Sequence, residues 1–308
     1  MNLQQIRYLR EAARRGLNLT QAARVLHTSQ PGLSKAIREL EDELGVQVFV
    51  RQGKRLTAIT DEGRAVLAIA ERLLTEADNL RAVGRELLGV DSGVLRLAAT
   101  HTQARYVLPP AVVRLREAYP GVRLQLRQGT PAQIVAMLRA GDADLGLATE
   151  LLGRVEELES EPLFAWHHCV IAPVGHRLHR ARRLGLAELA SHPLITYDAQ
   201  FAGRGGIDAS FAAAGLSPEI VLEAADADVI KAYTALGLGV GIVTEMAMPA
   251  AGEGELRRVR AAAPDLFPVN TTRVAYRRGR LLRRYERAFI GWLQPVAPAP
   301  TRRARRSS

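Results

Sequence analysis

From Asp61 to Leu88 the sequence contains no proline, and its only glycines, Gly63 and Gly84, sit near the two ends. Such a run reads as one long helix. Positions 66, 69, 73, 76, 80, 83 and 87 advance by three and four and carry Val66, Ile69, Leu73, Glu76, Leu80, Val83 and Leu87. A stripe that narrow suits a partner helix better than a globular core. Val66, Ile69, Leu73, Leu80, Val83 and Leu87 are therefore expected to form a dimerisation seam, with Glu76 as its misfit. Packing along a domain of the same chain is the alternative. The helix, 61–89, separates a head of 1–60 from a larger body that begins after the breaker Gly89-Val-Asp-Ser-Gly93.

In the head, Leu3, Ile6, Leu9 and Ala13 mark an amphipathic helix over 2–15 that Gly16 ends. Thr20 is expected to cap a second helix carrying Ala22, Ala23 and Leu26. His27-Thr28-Ser29 interrupts it, and Ser29 caps a third helix with Pro31 in its first turn and Leu33, Ile37, Leu40 and Leu44 along one side. Alternating residues at Val46–Val50 and the turn Arg51-Gln-Gly-Lys-Arg55 then predict a hairpin. Two helices joined by so short a break, backed by a hairpin, match a winged helix-turn-helix. The competing reading is a three-helix bundle without a ligand. Gln30, Ser34, Lys35 and Arg38 lie off the apolar stripe and donate hydrogen bonds, which with Thr28 and Ser29 in the turn suits DNA base edges. Arg51, Lys54 and Arg55 crowd the wing with no acid between residues 44 and 60, which suits phosphates.

At 308 residues, 47% hydrophobic and 24% charged, the chain has the size of two or three domains and is too apolar to stay disordered. Its net charge of +10 is weak evidence for a nucleic-acid partner, because eleven arginines against the single acid Glu286 lie from Arg273 onward and the rest balances. The segment 296–308 reads as a basic tail without structure. Cys169 has no cysteine to pair with, and neither a leader nor a membrane-length apolar run is visible, so a cytoplasmic protein without membrane attachment is expected.

Beyond the breaker, strand-like and helical runs alternate: Val94–Ala99, Ala104–Ala118, Val122–Gln128, Pro131–Ala140 and Asp144–Ala148. A second set starts at Cys169-Val-Ile-Ala172. This is the βαβ rhythm of an α/β fold with mostly parallel, doubly wound sheets. The economical arrangement over 90–295 is two lobes around a cleft, lobe 1 at about 90–163 and 266–295, lobe 2 at about 164–265. Thr100, Thr102 and Gln103 fall where the first strand ends and its helix begins, and Thr149 follows another strand. Uncharged donors in such a place fit a small anion or a carboxylate.

The run Ala22-Ala23, Leu26, Ser29-Gln30, Ser34, Ile37, Leu40-Glu41, Leu44-Gly45, Phe49, Arg51 and Leu56-Thr57 resembles the N-terminal signature of LysR-type transcriptional regulators. Thr100–Tyr106, Gln128–Ile134, Ala148–Glu150 and Asp226–Lys231 narrow the resemblance to the CysB group, regulators of cysteine biosynthesis and sulfur assimilation. The likeness runs from residue 1 to about 293. It implies a winged helix-turn-helix, a linker helix and a two-lobed effector domain resembling periplasmic binding proteins. It further implies promoter DNA as a partner, a homodimer that assembles to a homotetramer, and acetylserine compounds or sulfur oxyanions as effectors. By the same resemblance Thr100, Thr102, Gln103 and Thr149 hold the effector, Trp166 lies near the cleft, and Ala202 stands where that group has a threonine.

Other signals carry less. Gly237-Leu-Gly-Val-Gly241 follows a helix and lacks the spacing of a dinucleotide loop. His167-His168-Cys169 is too extended to turn all three side chains to one ion. Neither a metal nor a cofactor is expected, and no nucleophile–base pair points to an enzyme. A solute-binding protein shares the two lobes but would lack the head. A LysR-type regulator answering to a different small anion is the remaining alternative.

Overall fold

The computed structural model describes residues 1–53, 55–89, 91–201, 203–249, 251–262 and 264–293. Lys54, Ala202 and the basic tail lie outside the described residues. The chain divides into two units, Met1–Val90 with Gly279–Arg283, and Asp91–Arg278 with the chain from Arg284 onward.

The first unit opens with α1 (Leu3–Arg14), α2 (Leu19–Val25) and α3 (Gln30–Leu44). The cap of α2 is Asn18, not Thr20: the helix starts two residues earlier, with Leu19 buried, and Asn18 accepts the Gln21 N–H at 3.0 Å. Ser29 caps α3 by accepting the Gly32 N–H, and Gly45 ends it at φ 68°. The hairpin is shifted towards the C-terminus relative to the expected strand, as β1 (Phe49–Gln52) paired with β2 (Arg55–Ile59). The cause is Glu41, which takes the Val48 and Phe49 N–H groups at 2.9 and 3.1 Å and so ties that stretch to α3. Then α4 (Asp61–Leu87) starts at the Thr60 cap. At Gly63 a Cβ would lie 2.2 Å from the Val48 carbonyl oxygen, so only glycine lets α4 approach the hairpin this closely.

One core joins Ile6, Leu9, Leu33, Ile37, Val48 and Phe49 to Ala70 and Leu74 of α4. The N-terminal half of the long helix therefore belongs to the head's core. Gly279–Arg283 joins this unit through Asn79, which donates to the Gly279 carbonyl at 2.8 Å and accepts the Leu281 N–H at 2.7 Å.

The second unit contains two five-stranded sheets. Lobe 1 is built from β3 (Gly93–Ala99), α5 (His101–Tyr106), α6 (Leu108–Ala118), β4 (Val122–Gln128), α7 (Pro131–Ala140), β5 (Leu145–Ala148) and β6 (Leu158–Trp166). The chain crosses at His167 into lobe 2: β7 (His168–Pro173), α8 (Leu186–Ala190), β8 (Leu194–Tyr197), α9 (Arg204–Ala213), β9 (Ile220–Ala224), α10 (Ala227–Ala235), β10 (Val240–Thr244) and β11 (Leu256–Arg258). It returns to lobe 1 with β12 (Asn270–Arg277) and α11 (Arg284–Leu293).

The strand orders are β4-β3-β5-β12-β6 and β11-β7-β10-β8-β9. Each sheet has three parallel strands, followed by two that run antiparallel to their neighbours. The sequence does not announce β6, whose Pro162 breaks the strand pattern. The structure places β6 on an edge, with a register shift opposite Thr272 and Arg273 that accommodates the proline.

Candidate DNA-reading head and effector cleft

On α3, Lys35 and Arg38 are exposed and Gln30 and Thr28 half-buried, whereas Ser29 is engaged in the cap. Lys35 lies 3.6 Å from Glu39, an exposed pair too weak to hold it from a stronger anion. Ser34 differs from its expected placement: it is only 6% exposed, and its hydroxyl receives the Arg38 guanidinium at 3.4 Å. In the wing Arg55 is exposed, while Arg51 is held by the buried Glu41 carboxylate at 2.9 Å. The face available for contact is thus Gln30, Lys35, Arg38 and Arg55.

Along α4 the stripe is open. Ile69, Leu73 and Val83 are exposed, and Leu80 and Leu87 reach 75% and 82%. Val66 is the exception, half-buried against the core of the head. One face of α4 thus lies in the core of the head, while the apolar stripe beside it is uncovered in the single chain.

Between the lobes lies a small, partly open cavity, lined by Thr100, His101, Thr102 and Gln103 from the start of α5, Trp166 from the end of β6, and Tyr197, Phe201, Ala225 and Thr244 from lobe 2. The strand ends place these groups, as they do in open α/β sheets generally. Gln103 donates to the Thr272 hydroxyl at 2.9 Å and Trp166 donates to the same oxygen at 3.1 Å, so one buried threonine fixes both side chains. The remaining Gln103 oxygen and the Thr244 hydroxyl are buried without a protein partner. Buried polar groups left unpaired are costly, and a polar guest in the cavity relieves that cost. Among the described residues, no lysine, arginine, aspartate or glutamate lines it.

Of the residues predicted for this site, Thr100, Thr102, Gln103 and Trp166 meet in the cavity. Thr149 is buried at the same edge of the lobe 1 sheet but does not line it, and heads the turn Glu150–Arg154. Arg204, near in sequence to Ala202, is committed elsewhere: it binds Asp208 at 2.7 Å, Glu223 at 2.8 Å and the Tyr197 carbonyl at 2.5 Å. The sequence analysis does not single out Thr244, although it closes β10 much as Thr100 follows β3, and the strand-end rule applied to lobe 2 points to it. Tyr197 accepts the Thr244 N–H at 3.1 Å, and burial pushes its phenol pKa upward, so it stays neutral.

Behind the cavity His168 is buried against Trp166, Tyr197 and Phe267. Burial, and secondarily the neighbouring His167, pull its pKa down to about 4. Gly203, at φ 85°, passes so close that a Cβ would lie 2.4 Å from the imidazole. Cys169 is pushed up to about 12 by burial, which removes the thiolate that redox or metal chemistry requires. His101, Asp226 and Asp228 have ligand atoms within 4.8 Å of one another. However, Asp226 caps α10 through the Val229 N–H, and Asp228 is engaged by Tyr106 and paired with Lys231, so both carboxylates already have protein partners. Among the described residues no helix is long and apolar enough to cross a membrane.

The family model of the LysR substrate binding domain matches residues 88–298, and that of bacterial regulatory helix-turn-helix proteins of the lysR family matches residues 3–64. This chain belongs to the LysR family of transcriptional regulators. Within that family it is 48% identical to the HTH-type transcriptional regulator SsuR of Burkholderia cenocepacia over 295 residues, 96% of this chain and 95% of that protein. It is 49% identical to the HTH-type transcriptional regulator CysB of the same organism over 296 residues, 96% and 94% of the two chains. The crystal structure of the cofactor-binding domain of the Cbl transcriptional regulator superposes with a TM-score of 0.63 at 43% identity, covering 67% of this chain and 90% of that one. As a LysR-type regulator the chain binds DNA through its head and a small molecule through its two-lobed domain.

Proposed function

We propose that this regulator controls genes of sulfur assimilation and cysteine biosynthesis, and that its effector is an acetylserine-type compound or a sulfur oxyanion held between the lobes. The observation that carries this reading is a cavity walled by the donors Thr100, Thr102, Gln103, Trp166 and Thr244, with no lysine, arginine, aspartate or glutamate among the described residues of its lining. Neutral donors bind oxyanions and carboxylates without the ion pair that would tie a cation permanently to the site. The similarity to SsuR, CysB and Cbl supports the same class of signal.

In this account Gln30, Lys35 and Arg38, with Thr28, Ser29 and Ser34 behind them, read or frame the major groove. Arg55 and Lys54 hold phosphates, and Arg51 supports the wing. Two copies join along Ile69, Leu73, Leu80, Val83 and Leu87, and pairs of dimers give a tetramer in the cytoplasm. The effector acts by binding one arrangement of the assembly better than another, without which it would regulate nothing. No catalytic step, metal or cofactor is needed.

A second reading rests on Ala202, which supplies no hydroxyl where the CysB group has a threonine. One lost hydrogen bond is worth about 0.5–1.5 kcal/mol, roughly tenfold in affinity, and this favours a different small anion of similar size. Calorimetric titration of the full chain with acetylserine, sulfate and an adenylated sulfur compound tests both. Binding of one of them, weakened by Thr102→Val, supports the first reading. Silence toward all three removes it and leaves the family intact.

A further inference from the structure

Two segments that carry the resemblance to the CysB group, Thr100–Tyr106 and Asp226–Lys231, are far apart in sequence and on different lobes. Only the first lines the cavity, yet the two meet. The Tyr106 ring, at the end of α5 in lobe 1, packs against the core of lobe 2 formed by Ile171, Ile195, Ala227 and Ile230. Its hydroxyl donates to Asp228 at 2.5 Å and accepts from the Lys231 ammonium at 3.0 Å, and that ammonium stands 5.4 Å from the ring centroid. Lys231, only 7% exposed, also binds Asp228 at 2.9 Å and Glu253 at 2.8 Å. Arg105 of lobe 1 reaches the other Asp228 oxygen at 3.6 Å.

We infer that Tyr106, with Asp228 and Lys231, is a pin that joins the lobes and holds the cavity in the narrow arrangement in which it grips its ligand. The crossings at His167 and at 267–269 tie the lobes covalently. The pin ties them without a covalent bond, through a partly buried hydroxyl placed between a carboxylate and an ammonium. Hydrogen bonds to charged groups are the stronger kind. Burial pulls the Lys231 pKa down, but Glu253, Tyr106 and Asp228 together more than reverse this, so the ammonium stays charged.

A ligand touching both Thr102 and Thr244 needs the narrow arrangement, and its apparent affinity scales with the fraction of molecules already in it. Tyr106 and Lys231 are therefore positioning residues that raise affinity without touching the ligand. This use of the pin rests on the reading of the cavity as the effector site. The narrowing itself does not.

Trp166, buried in the cavity wall, reports the arrangement without any ligand. In full-length chains carrying Trp292→Phe, where Trp166 is the remaining tryptophan, acrylamide quenching is expected to rise severalfold in Tyr106→Phe and again in Lys231→Met. The melting temperature of Tyr106→Phe is expected to stay close to that of the parent. Quenching equal to the parent's in Tyr106→Phe would overturn the pin, as would a rise that appears only with a general loss of stability. Sulfate and acetylserine are then titrated into the same proteins. A roughly tenfold loss of affinity in Tyr106→Phe, at unchanged stability, supports the positioning role, and equal affinity contradicts it. If neither compound binds the parent protein, the effector reading fails while the quenching result still decides the pin.

Discussion

Glu41 and Arg51 form an ion pair at 2.9 Å across the junction between α3 and the wing, and the second oxygen of the same buried carboxylate takes the Val48 and Phe49 N–H groups. One acid thus ties the start of the hairpin to α3. Glu41→Gln keeps the shape but loses the charge-assisted character of these bonds, each worth about 1.5–3 kcal/mol. Chemical denaturation of the variant is expected to show a loss of about 2 kcal/mol, together with weaker binding to every DNA sequence. Unchanged stability would mean that the wing is held by packing alone.

Base reading and phosphate holding are separable. Gln30→Ala is expected to cost about 1–3 kcal/mol at the specific promoter and little on random DNA. Arg55→Gln is expected to weaken both alike and to reduce the salt slope of binding by about one. Fluorescence anisotropy at several salt concentrations distinguishes the two patterns.

The uncovered stripe of α4 predicts an assembly defect without a folding defect. Leu80→Glu combined with Leu87→Glu places two charges at positions already open to solvent in the single chain. Sedimentation equilibrium is expected to shift towards monomer while the helix content by circular dichroism is retained. A variant that still associates like the parent protein would relocate the interface.

The buried His168 gives the fold an acid limit. Its folded pKa, about 4, lies below the ordinary 6.5, so the native state favours the neutral ring. Below pH 6.5 the unfolded chain binds a proton that the folded chain does not. Stability from this residue is full above pH 6.5 and falls with the pH down to about 4, by about 3 kcal/mol in total. His168→Gln is expected to flatten that part of the profile measured by urea denaturation, whatever it does to stability at pH 7.

Thr244 presents a buried hydroxyl without a protein partner. Thr244→Val is expected to leave thermal stability equal or higher and to weaken the effector about tenfold, since the hydroxyl's worth is realised only when the cavity is filled. Calorimetry and differential scanning on the same sample separate the two effects.

Much of this was legible because it is written in local chemistry. The helix–break–helix of the head, the Ser29 cap, Gly45 and the apolar stripe on α4 are set by residues within a few turns of one another. What escaped depends on distant partners. The start of β1 is set by Glu41, several residues away on another element, and the edge strand β6 accommodates Pro162 by bulging at Leu163, which only its pairing with the distant β12 reveals. Ser34 looks like a surface donor in sequence but is buried by packing. Thr272, which fixes Gln103 and Trp166, has no local signal at all, and the contact of Tyr106 with Asp228 and Lys231 exists only once both lobes are folded.

A small molecule in the threonine-lined cavity is expected to change the grip of the head on DNA. Promoter affinity of the full chain, measured with and without saturating acetylserine or sulfate, in the parent and in Thr102→Val, tests it directly. The account predicts a ligand-dependent change of severalfold or more in the parent, and in the variant the same change only at higher ligand concentration. A ligand that binds in the cavity yet leaves promoter affinity untouched would contradict it.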